Sequence, residues 1–334
     1  MNPRSEAIVK TSFLSDFFWM IHLVKAVNSI YLSLLSSKNH PMKLNLKKRV
    51  IYQISHKLQE LENEDLSNKT IISETLYSED GTPIEEIGYD IYGNIEQRSI
   101  LRIENGLRLQ STFEDVAMET KEDRFYEYND RQQVIKMIHR FDDGSTTETI
   151  FTYDDKGQLI REVLVDNDED STITKQFIRD SDQNLKIITT NENEEVIAEE
   201  IYEFNEQQNI TSHIENSDGQ QSEKALFYDE MGRVIVEKQV IDGRLVAKLS
   251  KEYTENGYSE KREDIHGIYL TNVELDQKGR EIFNERKLLN GKLLDSQRHE
   301  YDENDQICST TSMKYDPQTD TIASYSLLYS YEYY

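Results

Sequence analysis

The chain has 334 residues and a formal net charge of −26, with only 36% hydrophobic and 31% charged residues. That leaves little apolar matter for an ordinary compact enzyme, while 20 Tyr and 11 Phe are too many for a disordered chain. The acidity disfavours a nucleic-acid backbone or an anionic membrane as partner. A single cysteine, Cys308, excludes an internal disulfide framework and a cysteine-rich zinc site, and it reads as a small strand residue.

Charge is uneven along the chain. Residues 1–57 hold nine basic residues against Glu6 and Asp16, a balance of +7, which leaves −33 for the remainder. Within residues 1–41, the stretch from Phe13 to Leu35 is the most apolar. Phe13, Phe17, Ile21, Val24, Val27, Tyr31 and Leu34 recur at three- and four-residue steps, the spacing of an amphipathic helix. Its length also suits a membrane anchor, although Asp16, His22, Lys25 and Asn28 interrupt it. A third reading starts the functional chain at Met42. In residues 42–68, Leu46, Val50, Ile54, Leu58 and Leu61 form a stripe that predicts a helix over about 46–62, followed by a polar linker.

The repeat domain, residues 69–334, is organised around a turn. Its clearest forms are Tyr89-Asp90-Ile91-Tyr92-Gly93, Tyr153-Asp154-Asp155-Lys156-Gly157 and Tyr228-Asp229-Glu230-Met231-Gly232, each followed two residues later by an apolar residue. An aromatic ends one strand, Asp bonds back to nearby N–H groups, and Gly takes φ > 0. Degenerate copies start at Tyr128, Arg179, Phe204, Tyr253 (with Gly257), Leu275 (with Asp276 and Gly279) and Tyr301 (with Asp302). From Tyr128 onward the spacing averages about 25 residues. Midway through each unit lies a second turn, such as Asp142-Asp143-Gly144, Asp218-Gly219, Asp242-Gly243 or Asn290-Gly291, the strongest short-range hairpin signal.

One unit is therefore two antiparallel strands. Leu245, Ala247, Leu249 and Tyr253 fall on one face of such a strand, with Lys248, Ser250 and Glu252 on the other. Residues 114–124 break the period and read as an inserted acidic loop, and the Tyr-rich stretch from Tyr325 to Tyr334 reads as a last strand or an edge cover. The expected fold is all-β, with tandem two-stranded repeats forming a long, curved, open meander after one or two N-terminal helices. A rolled or partly closed barrel is the alternative.

The Tyr-Asp-x-x-Gly-x-apolar units resemble YD repeats of the RHS type over about residues 70–334. That resemblance implies β-sheet walls like those of toxin shells and cell-surface proteins. The chain is too short for a full shell, so cargo enclosure is not carried over. The alternating Asp-Gly and Asn-Gly hairpins also look like the MORN-type repeats of some bacterial antitoxins, a looser likeness.

No catalytic signature stands out. The seven histidines are scattered, and no metalloprotease helix, nucleophile elbow or phosphate loop is present. Asp166-Asn167-Asp168-Glu169-Asp170 invites a calcium reading. Ser171 and Phe177 stand where that loop needs Gly and Glu, so a plain acidic turn is favoured and no metal or cofactor is expected. Tyr128, Tyr153, Tyr228, Tyr253 and Tyr301 recur once per unit and are expected to staple neighbouring units by stacking, with a carbohydrate-binding row as the alternative. The expectation is a non-enzymatic cytoplasmic module that binds a basic protein, of an immunity or antitoxin type. The alternative is a secreted or envelope protein that binds carbohydrate, with an enzyme as the residual case. A membrane enters only if residues 13–35 act as an anchor.

Overall fold

Each strand pairs with its neighbours in sequence, and the last pairs with the first. A computed structural model of the chain describes residues 46–56, 69–181, 183–316 and 320–334. The strands are β1 (Leu46–His56), β2 (Thr70–Tyr77), β3 (Pro83–Tyr89), β4 (Ile95–Glu104), β5 (Leu107–Asp115), β6 (Thr120–Tyr128), β7 (Val134–Arg140) and β8 (Thr146–Tyr153). They continue as β9 (Leu159–Asp166), β10 (Ser171–Arg179), β11 (Leu185–Thr190), β12 (Val196–Phe204), β13 (Ile210–Ser217), β14 (Gln220–Tyr228) and β15 (Val234–Ile241). The last are β16 (Arg244–Thr254), β17 (Gly257–Asp264), β18 (Gly267–Leu275), β19 (Glu281–Leu288), β20 (Leu293–Tyr301), β21 (Ile307–Asp316) and β22 (Thr321–Tyr333).

The expected open meander is overturned: β1 pairs with β22 as well as β2, which closes the sheet into a 22-stranded antiparallel barrel. The strand number is even, so the first and last strands run antiparallel and join by the same ladder as all the others. Closure removes both bare edges, which an open sheet of this length would expose to other chains. At the usual strand spacing the wall measures about 105 Å around.

The helix expected over 46–62 is also overturned. No helix occurs among the described residues, and Leu46–His56 is a strand paired on both sides. The stripe misleads because a step of four is even: Val50 and Ile54 share a face in either structure, while a bulge at Lys47 sets Leu46 on the other face. The β-branched and aromatic run Val50-Ile51-Tyr52-Gln53-Ile54, flanked by two strands with open ladders, favours the extended form. The first described strand of the barrel is thus Leu46–His56. The Phe13–Leu35 segment, the possible start at Met42 and the polar linker lie outside the described residues.

The inserted loop expected at 114–124 is not an insertion. Residues 116–119 are a tight four-residue turn between β5 and β6, which pair from Asp115↔Thr120 to Gln110↔Phe125. The period holds throughout once Tyr77-Ser78-Glu79-Asp80-Gly81 is recognised as a further copy, two units before Tyr128. There Ser78 stands for Asp, and the same backbone turn closes with Ser78 N–H donating to Thr82 O and Gly81 N–H to Ser78 O, both at 2.9 Å. The Tyr-rich C-terminus is the closing strand β22.

The wall is one layer thick. Extensive strand contacts are all between neighbours, and the buried apolar side chains among the described residues are only Val50, Ile54, Ile187 and Val273. Several of the best-buried groups are small hydroxyl residues, including Thr75, Thr149, Thr310 and Ser312. A sequence so poor in apolar residues has little to pack a deep core with. Stability then comes from the ladders and from cross-strand pairs, each worth about 0.2–1 kcal/mol.

Candidate interaction surface

Because the strands alternate in direction, successive turns alternate between two rims. Turns after even-numbered strands lie at one, here the tyrosine rim; turns after odd-numbered strands lie at the opposite rim. Of the predicted positions, Tyr128, Tyr153, Asp154, Gly157, Phe204, Tyr228, Asp229, Gly232, Tyr253, Asp276, Gly279, Tyr301 and Asp302 all sit at the tyrosine rim. Tyr89, Asp90 and Gly93 join β3 to β4 and sit at the opposite rim, half a unit out of phase.

The turn chemistry is shared by both rims. Asp229 Oδ1 accepts the N–H groups of Met231 and Arg233, both at 2.9 Å, and Asp90 Oδ1 accepts those of Tyr92 and Asn94 at 2.8 Å. Such bonds hold the carboxylates of Asp90, Asp229 and Asp276 below the usual range. For Asp90 and Asp276 the largest cause is the side chain four residues on, and for Asp229 it is the Arg233 N–H. Gly232 has φ +76°, and where a copy lacks Gly the chain still turns left-handed, at Gln132, Gln183, Gln208 and Asp305. Gly257 differs, since it opens β17, and a Cβ there would overlap the Val273 carbonyl oxygen.

The repeated tyrosines join units by hydrogen bonds to backbone. Tyr153 Oη donates to Val134 O at 2.8 Å, Tyr228 to Ile210 O at 2.6 Å, Tyr253 to Val234 O at 3.0 Å and Tyr301 to Glu281 O at 2.7 Å. In each case the acceptor is the residue that starts the strand after the preceding unit's turn. Tyr331 extends the series to Ile307 O at 2.7 Å, and Arg179 replaces the phenol by donating to Leu159 O at 3.1 Å. Phe204 cannot donate from its ring; its backbone N–H is accepted by Asn184 Oδ1 instead. Partial burial raises the Tyr153, Tyr228 and Tyr301 phenols and pushes Tyr331 up to about 12. Basic residues complete this rim: Arg131 reaches Asp155 O at 2.8 Å, and Arg280 bridges Asp276 and Asp305.

The opposite rim is built otherwise. Among the described residues its turns carry Asp90, Glu119, Asp142, Asp143, Asp168, Glu169, Asp170, Glu192, Glu194, Glu195, Asp218, Asp242 and Asp320, against two basic residues, Lys69 and Lys292. Lys292 is engaged by the Tyr315 hydroxyl and Asp320. Asp142, Asp168 and Asp242 accept backbone N–H groups from the preceding hairpin, at Lys121, Thr146 and Gln221. The Asp166–Asp170 stretch is an ordinary turn of this kind, and no group of side chains suited to a metal ion occurs among the described residues.

Three histidines on the tyrosine-bearing face contact carboxylates or a hydroxyl, a feature their scatter in sequence hides. His139 Nε2 lies 2.9 Å from Glu122 Oε2, and His213 Nε2 lies 3.4 Å from Glu200 Oε2 with its ring stacked on Tyr202. The imidazoles hold Glu122 and Glu200 below the usual carboxylate range, while burial and then Glu200 push the Tyr202 phenol up. His299 lies 2.9 Å from Thr310 Oγ1 and 3.7 Å from Glu281. Thr310 is only 3% exposed, so that hydroxyl is not presented to a substrate.

Both faces of the wall carry charges at mid-strand. Arg124, Lys175, Glu200, Lys224 and Glu260 are on the tyrosine face; Asp123, Lys136, Glu148, Lys186 and Glu199 are on the other.

The sequence matches no protein-family profile and no curated protein. Among solved structures, it is similar to a chain of the TcdB2-TccC3-Cdc42 complex, with 11% identity and a TM-score of 0.37, over 78% of this chain and 18% of that one. A porin-like protein from Bacteroides uniformis shares 8% identity at a TM-score of 0.31, over 86% of this chain and 98% of that one. TcdB2-TccC3 without its hypervariable C-terminal region shares 8% at a TM-score of 0.21, over 86% and 23%. The chain thus spans about a fifth of the toxin-complex chains, and at these TM-scores the likeness is distant.

Proposed function

We propose that the protein is a non-catalytic β-repeat binding module whose partner is a basic protein, a role of the kind played by immunity and antitoxin proteins. The observation that carries this is charge. Residues 46–334 have a net charge of −29, and among the described residues the opposite rim sets thirteen turn carboxylates against two engaged lysines, Lys69 over the Tyr52 ring and Lys292. A fixed wall of one sign attracts a partner of the other and speeds encounter. The tyrosines support binding of protein over sugar, since the Tyr153, Tyr228, Tyr253 and Tyr301 hydroxyls are occupied by backbone carbonyls.

The test is a pull-down with the tagged full chain from native extract at low salt, with elution by a salt gradient. One basic protein in near-equal amount, released by about 0.5 M salt, is the expected result, because the Debye length falls to a few ångströms over that range. An empty bait, or a partner indifferent to salt, counts against the proposal.

A further inference from the structure

The largest exposed apolar side chains at turn tips are not spread evenly. At the tyrosine rim the turn tips are polar except for Met231. At the opposite rim two neighbouring turns carry four of them, Ile91 at 79% exposed, Tyr92 at 83%, Met118 at 75% and Val116 at 48%, while Ile265 and Leu289 stand singly on two other turns. The two turns are fixed to each other, because β4 and β5 pair from Gln97↔Asp115 and the Val116 N–H donates to Glu96 O at 2.8 Å. Asp90 Oδ1 holds the Tyr92 N–H at 2.8 Å and Asp115 Oδ1 the Met118 N–H at 2.9 Å, so both tips stand on bonded turns. A groove lined by Gln53, Ile72, Tyr89, Asp90, Ile91 and Glu96 runs alongside.

In every other tyrosine-type turn of the chain these tip positions are filled mainly by residues such as Asp130, Arg131, Glu206, Gln207, Gln277 and Lys278. Placing Ile and Tyr there gives nothing to the turn and leaves apolar surface in water. The surroundings are strongly negative. Residues 85–98 and 114–122 contain eight carboxylates and two basic residues, and both of the latter are paired, Arg98 with Glu85 and Lys121 with Glu114. An apolar seat inside an unneutralised acidic ring is complementary to one kind of occupant.

We infer that the Ile91–Tyr92–Val116–Met118 cluster is the docking site for a basic amphipathic segment of a protein partner. Its aliphatic or aromatic side chains seat on the four tips, and its Lys or Arg residues face Glu86, Glu96 and Glu119. Tyr92 supplies a broad anchor at low conformational cost, and Met118 adapts to the shape of the entering side chain. The site rests on the proposed binding function and locates it on one arc of one rim.

The probe is a fluoresceinated synthetic helix of leucine and lysine with an apolar and a basic side, titrated against the full chain by anisotropy. The triple variant Ile91→Ser/Tyr92→Ser/Met118→Ser should lose affinity by about tenfold or more. The control Ile265→Ser/Leu289→Ser, at exposed tips elsewhere on the same rim, should bind as the parent does. Thermal melts of both variants should match the parent, since the changed side chains are exposed. Hydrogen exchange with the peptide bound should slow at residues 90–94 and 116–119. Equal binding by the triple variant and the parent, or equal loss in the control, overturns the site. So does equal affinity for a lysine helix lacking leucine. In the pull-down, a basic partner captured equally by the parent and the triple variant overturns this site and leaves the binding function standing.

Discussion

The two rims are made by one turn chemistry and finished differently. At the tyrosine rim most units are bonded to the one before by a phenol or a guanidinium, the Phe204 unit through its backbone N–H, and the described turns contain five basic residues (Arg131, Lys156, Arg233, Lys278, Arg280). At the opposite rim the joining groups are carboxylates taking backbone N–H bonds, cations are nearly absent, and six large apolar tips face water. The first rim spends its side chains on itself. The second leaves charge and apolar surface free, which is where a partner gains most.

That contrast can be broken in several ways. The largest effect should come from register. One residue inserted within Leu245–Leu249 of β16 moves the following side chains to the wrong face, and should cost about 4 kcal/mol or more in denaturant melts. The same insertion in the 116–119 turn should cost about 1 kcal/mol or less, since it lengthens a loop. Equal costs would refute the face assignment. Next, Gly257→Ala forces a methyl into the Val273 carbonyl and should cost about 3 kcal/mol. Gly243→Ala has open space and meets only the positive φ, for about 1 kcal/mol.

Smaller effects sharpen the comparison of rims. Tyr153→Phe, Tyr228→Phe and Tyr301→Phe should each destabilise by about 1 kcal/mol, the net value of one hydrogen bond. Tyr92→Phe at the opposite rim should stay within about 0.5 kcal/mol. Smallest at working pH is titration. The Tyr331 phenol is raised in the folded state, from 10 to about 12, so the fold holds its proton more tightly than the unfolded chain does. Its contribution is present below pH 10 and is lost as pH rises through about 12. Glu122 and Glu200 are lowered, so theirs is present above the ordinary carboxylate value and lost as pH falls through the depressed one. A pH series of melts on the parent and on Tyr331→Phe separates the alkaline limb, which should flatten in the variant.

Much of the wall was legible in the residues. Asp-Gly pairs, alternation in strands such as Ala247–Tyr253 and the 25-residue spacing all encode local geometry, and local geometry is what a single sequence displays; Leu245 leaves that face, because the register shifts between it and Ala247. Closure was not legible, because it depends on twist summed over all the strands, and no single residue carries that sum. The strand at Leu46–His56 was hidden by an even spacing that serves both periods. Tyr77-Ser78 escaped notice because Ser does the work of Asp there; stepping back two periods from Tyr128 would have found it. The tyrosine bonds were placed on the right residues with the wrong contact, hydroxyl to carbonyl instead of ring to ring. The apolar tips at Ile91, Tyr92 and Met118 were visible as letters, and only the alternation of rims brings them together.

The seam between β1 and β22 has a consequence in time. It joins the two strands farthest apart in sequence, with Lys47 and Glu332 in contact across 285 positions. During synthesis β1 is made first and its second neighbour last, so the growing wall carries two raw edges until the final strand emerges. Rings of this kind close late and slowly, and until closure each edge is a template for another copy. Expression at high concentration should therefore trap linked rings or sheets, in which β22 of one molecule completes β1 of the next.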